Sequence, residues 1–356
     1  MSRAFESIRV GRWTLPQRFV MAPLTRNRAG AGMVPTELAA QYYGQRASAG
    51  LIISEGTQPS AVGQGYLDTP GIHSAEQAAG WARVAGAVHA GGGRIVVQLM
   101  HAGRIAHPDN KGGLETVAPS AVPAPGRIVT ASGEQDHPIP RALETAELPT
   151  VAADFADAAR KAVEAGLDGV EIHAANGYLL HQFLAPSSNV RTDAYGGSPA
   201  NRARLVVEVT RAVAEAIGAD RVGIRISPAH NIQGVLEEDE LDTAATYDTL
   251  VDQLAPLGLA YLSILGDPAS DLVRTLRKRF GGPVIVNSGF AGTTTLEQVD
   301  GILEQDLADL VAVGRLFLAN PDLPRRWREA LPLNEPDPAT FYGGGAEGYT
   351  DYPFSS

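Results

Sequence analysis

The chain contains no cysteine. That absence excludes disulfides, thiolate nucleophiles and any cysteine-ligated zinc or iron–sulfur centre. Redox work would need an organic cofactor or a metal held without thiolates. Positive charge is also scarce: 29 Lys and Arg stand against 40 Asp and Glu, a formal charge of −11, which argues against nucleic acid as a partner. No run of about 18 apolar residues occurs, and the opening Met1-Ser2-Arg3-Ala4-Phe5-Glu6 lacks the apolar core of a secretory leader. A soluble, cytoplasmic protein with no membrane partner is expected. No internal repeat or low-complexity segment is evident, and 356 residues suit one large α/β barrel or two ordinary domains.

What is present is alternation. Short β-branched runs at 19–23, 51–54, 94–99, 169–173, 222–226, 260–265, 284–287 and 310–313 are separated by helical stretches. Eight parallel strands, each followed by a helix, close into a (β/α)8 TIM barrel, whose sites lie on the C-terminal rim. Ser74 with Gln77, and Thr294 with Glu297, read as capping boxes, and Pro199 after Ser198 suits a first helical position. Leu205, Val209, Val213 and Ile217 form an apolar ridge ending at Gly218. Phe155, Ala158, Ala159, Ala162 and Val163 form another, ending before Gly166, and both read as core. The connection at about 102–149, after the third strand, is too long for a βα loop. Its prolines, glycines and apparent hairpin at Arg127-Ile128-Val129-Thr130 make it an expected lid over the rim. The expectation is one barrel domain over 1–356, its aromatic tail at 331–356 folded back on the body.

Chemistry gathers in Gly169-Val170-Glu171-Ile172-His173-Ala174-Ala175-Asn176-Gly177-Tyr178, a buried strand running into a polar cluster. His173 and Asn176, three apart, can offer two hydrogen-bond donors on one side, and Tyr178 adds a phenolic proton. Two donors beside an acid suit a substrate whose oxygen gains negative charge while a neighbouring carbon takes a proton. A lone histidine there would read as a satisfied core residue, but the grouping favours chemistry. The other strand ends carry Met21-Ala22-Pro23-Leu24-Thr25-Arg26, Glu55-Gly56-Thr57, Gln98-Leu99-Met100-His101, Arg225, Asn287-Ser288-Gly289 and Gly314-Arg315. Such a ring fits a flat heteroaromatic ligand with a phosphate tail. Gln98 can read a pyrimidine edge, Thr25 a ring carbonyl, and Arg225 supplies fixed charge. Gly289 and Gly314 expose backbone N–H groups near Arg315, in the usual phosphate corner of such barrels.

Together these residues resemble the Old Yellow Enzyme family of flavin ene-reductases. The likeness is carried by Ala22-Pro23-Leu24-Thr25-Arg26-Asn27-Arg28, Gly63-Gln64-Gly65-Tyr66, the 73–77 and 101–107 stretches, 173–184, 189–197 and 341–353. It spans about residues 19 to 353, and the tail is similar to the pentaerythritol tetranitrate, N-ethylmaleimide and glycerol trinitrate reductase branch. The resemblance implies tightly bound, non-covalent FMN, reduced by NADPH or NADH in a ping-pong cycle, with hydride passing from flavin N5 to the β-carbon of an activated alkene. It implies that Ala22, Pro23, Thr25, Gly56, Gln98 and Arg225 hold the flavin ring, with Leu24 and Ser288 also against the cofactor. Gly289, Gly314 and Arg315 would hold the phosphate. His173 and Asn176 would lie against the flavin and bind a carbonyl or nitro oxygen, Tyr178 would protonate the α-carbon, and Tyr66, Met100, Gln233 and Tyr342 would line the substrate pocket. The partners implied are small electron-poor alkenes or nitro compounds, with nitrate esters as further acceptors. Two features depart from common family patterns. Met100 stands where Trp is frequent, which leaves product stereochemistry open, and the absence of Cys excludes the branches with Cys at the Thr25 position or with an iron–sulfur domain.

Rival readings fare worse on the residues. A metal-dependent hydrolase or lyase would draw on His101, His107, His173 or His181, but no His-Glu-x-x-His exists, so no metal is expected. A glycosidase needs two carboxylates across the rim, where only Glu55 is supplied, and Glu55 reads as a structural partner of a backbone or arginine group. A non-catalytic flavin-binding barrel is opposed only by His173, Asn176 and Tyr178. Physiological substrate, choice of nicotinamide, and monomer against homodimer are not legible.

Overall fold

Alternate residues of eight short strands divide the core in two, as parallel strands buried on both faces require. In the computed structural model, which describes residues 2–290 and 292–356, these are β1 (Phe19–Met21), β2 (Ile52–Thr57), β3 (Ile95–Leu99), β4 (Gly169–Ala174), β5 (Val222–Ile226), β6 (Tyr261–Leu265), β7 (Val284–Asn287) and β8 (Leu310–Val313). They pair in parallel and close into a barrel in chain order, matching the eight expected runs to within a few residues. Val20, Leu51, Ile53, Val96, Ile285, Leu310 and Ala312 point inward. Phe19, Met21, Ile52, Val97, Val170, Ile172 and Ile224 point outward against the helices. Fully burying each large apolar side chain contributes about 1.5–3 kcal/mol.

The sequence reading missed the plug at the barrel's foot. Ile8–Val10 pairs antiparallel with Trp13–Leu15, and Val10, Trp13 and Leu15 fill the lower barrel. Strands of three residues are too short for an alternation test to register.

The helices are α1 (Glu37–Gln45), α2 (Ala75–Ala90), α3 (Leu148–Glu164), α4 (Leu179–Leu184), α5 (Pro199–Ile217), α6 (Glu240–Leu254), α7 (Asp271–Phe280), α8 (Leu296–Glu304), α9 (Arg315–Ala319) and α10 (Leu323–Arg328). Ser74 and Gln77 form the expected capping box, and Ser198 caps α5 with Pro199 in its first turn. The second box lies one residue later than expected, on Thr295 and Gln298. Both frames satisfy the pattern, and the realised one leaves Glu297 in the first turn, where the helix dipole favours an acid. Among the described residues no helix is long and apolar enough to cross a membrane.

Residues 102–149 do contain the hairpin, Arg127–Thr130 against Gly133–Asp136. The segment packs on two rim loops: Arg104 Nη2 donates to Gly234 O at 2.7 Å, Asn110 Nδ2 to Gly65 O at 3.0 Å, and Lys111 Nζ to Val62 O at 3.0 Å. It buttresses the loops carrying Tyr66 and Gln233, and none of its residues lines the cavity at the rim.

The tail packs against the barrel through Tyr349. Tyr349 is fully buried, stacks on Tyr42 at 4.2 Å, and lies under the guanidinium groups of Arg26 and Arg28. Arg26 also donates to the carbonyls of Phe341 and Gly348, and its backbone N–H donates to Glu55, so Glu55 serves the structural purpose read for it. Tyr349→Ala should therefore lower unfolding free energy by about 3–5 kcal/mol, as for other buried aromatic truncations. Urea denaturation checks this, and a loss below about 1 kcal/mol would mean the tail does not contribute to the core.

Candidate active site

At the C-terminal rim the barrel lining changes from apolar to polar. Gln98, Glu171, His173 and Arg225 point inward on neighbouring strands, with His173 and Arg225 in register across β4 and β5. Above them opens a cavity of about 380 Å³, lined by Pro23, Leu24, Thr25, Gly56, Gln98, Met100, His173, Asn176, Tyr178, Arg225, Gln233, Arg315 and Tyr342. Ile232, Phe290, Leu318 and Phe341 complete the wall. No carboxylate lines it, so a chain of net charge −11 presents a positively biased mouth.

Each polar group has a definable state. His173 is 4 % exposed, and its Nδ1 has no partner. Burial, then the charge of Arg225, holds its pKa well below the usual imidazole range, so the ring is neutral. Arg225 is buried, with Nε and Nη1 unpartnered, and although burial lowers its pKa it stays charged. Tyr178 packs edge-on to His173 at 5.0 Å, and burial raises its pKa, so it keeps its proton at neutral pH. Its hydroxyl lies 3.1 Å from that of Tyr66, which donates to Gln233 Oε1 at 3.3 Å.

Asn176 has φ of 58°, a left-handed conformation that asparagine tolerates better than most residues. Its N–H donates to Ser227 Oγ at 2.8 Å, and its carbonyl accepts from Gln233 Nε2 at 2.7 Å. At the opposite wall a Cβ on Gly56 would lie 2.6 Å from Met100 Sδ, so the bare glycine makes room for the thioether.

Most expected site residues thus meet at one cavity. Ala22 is buried one residue before the lining, and Tyr66 stands behind Tyr178. Ser288, Gly289 and Gly314, at the ends of β7 and β8, do not line this cavity, and Ser288 faces a neighbouring one beside α6 and α7. The sequence reading gave Glu171 no role at the site, yet it accepts from Gln98 Nε2 at 2.7 Å in the barrel interior. Its two-residue spacing from His173 was the available signal. Phe290 and Ile232 had none beyond their place beside rim residues.

A model of the NADH:flavin oxidoreductase / NADH oxidase family matches residues 3–334. The chain belongs to this family, that of Old Yellow Enzyme. A probable flavin mononucleotide-dependent alkene reductase of Leishmania infantum is 42% identical, covering 97% of this chain and 95% of its own. Morphinone reductase in complex with tetrahydroNAD superposes with a TM-score of 0.92 at 46% identity, over 99% of this chain and 98% of that one. The Old Yellow Enzyme homologue from Zymomonas mobilis gives 0.93 at 41% identity, over 98% and 99%. This flavin oxidoreductase therefore uses FMN, with a nicotinamide as hydride donor. Its residues fit that cofactor: Arg225 Nε and Nη1, His173 Nδ1 and Asn176 Oδ1 are buried atoms lacking protein partners on residues that line an acid-free cavity.

Proposed function

We propose that this Old Yellow Enzyme family member reduces electron-poor alkenes such as enones, enals, maleimides and nitroalkenes, taking electrons from NADPH or NADH in a ping-pong cycle. Bound FMN supplies the redox centre that accepts hydride from the nicotinamide and passes it to the alkene β-carbon. Pro23, Leu24, Thr25, Gly56, Gln98 and Arg225 would hold its ring system, with Ala22 beside them. Ser288, Gly289, Gly314 and Arg315 would hold its phosphate. His173 and Asn176 bind the substrate's carbonyl or nitro oxygen and draw charge onto it. Tyr178 delivers its hydroxyl proton to the α-carbon, while Tyr66, Met100, Gln233 and Tyr342 shape the pocket. The barrel is read as one domain over 1–356, with 102–149 covering the rim loops that carry Tyr66 and Gln233.

One observation carries this reading: a neutral imidazole with a buried, unpartnered Nδ1 and an amide that lines the same cavity stand beside a phenol that keeps its proton. Similarity to an alkene reductase and to 12-oxophytodienoate reductases supports it. Anaerobic stopped-flow tests it. The flavin absorbance should bleach with NADPH or NADH and return on adding 2-cyclohexenone. Bleaching that neither enones nor nitro compounds reverse would reject alkene reduction and leave a diaphorase-like or binding role.

The protonation states give a pH expectation. With His173 neutral well below its ordinary 6.5 and Tyr178 protonated above its ordinary 10, alkene reduction should be flat from about pH 6 to about pH 9. A limb with an apparent pKa near 6.5 would show that a charged imidazole takes part.

A further inference from the structure

The turn that presents Asn176 is gripped by a buried charge that lies outside the active-site cavity. Gly177 follows Asn176 in the same left-handed region, at φ of 84°, and a Cβ there would fall 2.8 Å from Gln233 Cβ. Its N–H donates to His181 Nδ1 at 2.9 Å, and its carbonyl accepts from Gln182 Nε2 at 2.8 Å. Because Nδ1 of the fully buried His181 accepts, the ring proton belongs on Nε2. Nε2 lies 3.3 Å from Oε1 of Glu237, itself only 7 % exposed.

Glu237 also closes the loop that follows β5. Its Oε2 accepts from Ala229 N at 2.8 Å, its Oε1 from Tyr247 OH at 3.0 Å, and its own N–H donates to Asn231 Oδ1 at 2.8 Å. That loop contains two further non-glycine residues at positive φ, Ala229 at 57° and Gln233 at 56°. Such residues are strained and persist only where their surroundings over-determine them. The same loop returns to the active site through Ser227 and Gln233, which bind both backbone polar atoms of Asn176. Burial pushes the Glu237 carboxyl up, but His181 and the bonds it receives outweigh that and hold it below the ordinary value.

We propose that Glu237 is a positioning residue: acting through His181 and the 227–237 loop, it fixes the left-handed turn that carries Asn176 to the substrate oxygen. This rests on the assignment of His173 and Asn176 to that oxygen. Two donors, Ala229 N and Tyr247 OH, bond to Glu237, and His181 Nε2 approaches it at 3.3 Å, so the position needs a group that only accepts. An amide would turn an NH2 toward at least one of them. Reversing the His181 tautomer to relieve the clash would set Nδ1–H against the N–H of Gly177.

The test uses the FMN-loaded enzyme and Glu237→Gln. Flavin reduction by NADPH should stay within about twofold, while turnover of 2-cyclohexenone falls on the order of 10²-fold, the penalty for misplacing a reacting group by about 1 Å. Affinity for 4-chlorophenol, read from its long-wavelength absorbance with oxidised flavin, should fall about tenfold. Equal slowing of both half-reactions, or unchanged turnover and phenol affinity, overturns the proposal. A second measurement does not depend on the variant folding. In ¹⁵N-histidine-labelled wild-type enzyme, His181, assigned by its loss in His181→Gln, should be the neutral Nε2–H tautomer, and an Nδ1–H or doubly protonated ring overturns the proposal. Wild-type enzyme that neither binds the phenol nor reduces the enone defeats the oxygen-binding assignment and the proposal together. Wild-type behaviour in Glu237→Gln defeats the proposal alone.

Discussion

Tyr178→Phe should slow alkene reduction by about 10²- to 10⁴-fold, the usual contribution of a positioned proton donor, and leave flavin reduction by the nicotinamide within about twofold. In the proposed cycle the two half-reactions share one cavity but differ in what they ask of it. Hydride arriving from a nicotinamide needs no proton at carbon, whereas saturating an alkene does. Phenylalanine preserves the edge-on packing against His173 and removes only the hydroxyl, which lies 3.1 Å from that of Tyr66. Tyr66 is the obvious substitute donor, but burial raises its pKa well above the ordinary range and it already donates to Gln233. Its rescue should be small. Single-turnover stopped-flow separates the steps, and equal slowing of both would remove Tyr178 from the proton-donor role.

Much of this architecture was readable because parallel barrel strands must be apolar on both faces and end at the functional rim. Residues whose chemistry is unusual for a strand end, such as His173, Gln98 and Arg225, stood out for the same reason. What escaped was structure with little local signature. The plug formed by Ile8–Val10 and Trp13–Leu15 is too short to show a period. The capping frame at Thr294 and Thr295 was degenerate, and packing chose the later one. Glu237 could not be tied to the active site from sequence, since His181 and Gly177 meet it only after the loops beyond β4 and β5 fold together. Ala229 and Gln233 adopt positive φ without being glycine, so composition gave no hint of strain. The glycines expected to contact phosphate, Gly289 and Gly314, sit at the right strand ends but outside the cavity that Arg315 lines.

His173→Ala should separate activity from stability. Removing one preorganised donor from a developing oxyanion costs about 10²–10³ in rate, or about 2.7–4 kcal/mol of transition-state stabilisation. A core histidine would show the opposite pattern, with its loss felt chiefly in folding. His173 borders the cavity, its Nδ1 has no protein partner, and burial, then the nearby charge of Arg225, disfavours its protonation. Truncation removes a buried polar atom that made no bond and widens a space that is already open. Unfolding free energy should therefore change by less than about 1 kcal/mol, since an unpartnered buried polar group carries a desolvation cost of similar size to the packing it contributes. Asn176 keeps one donor in place, so the double variant should lose less than the product of the single losses, as groups that act as a unit do. Urea denaturation beside single-turnover rates decides the matter. A stability loss of several kcal/mol with alkene reduction intact would make His173 a packing residue and leave the substrate oxygen to Asn176 alone.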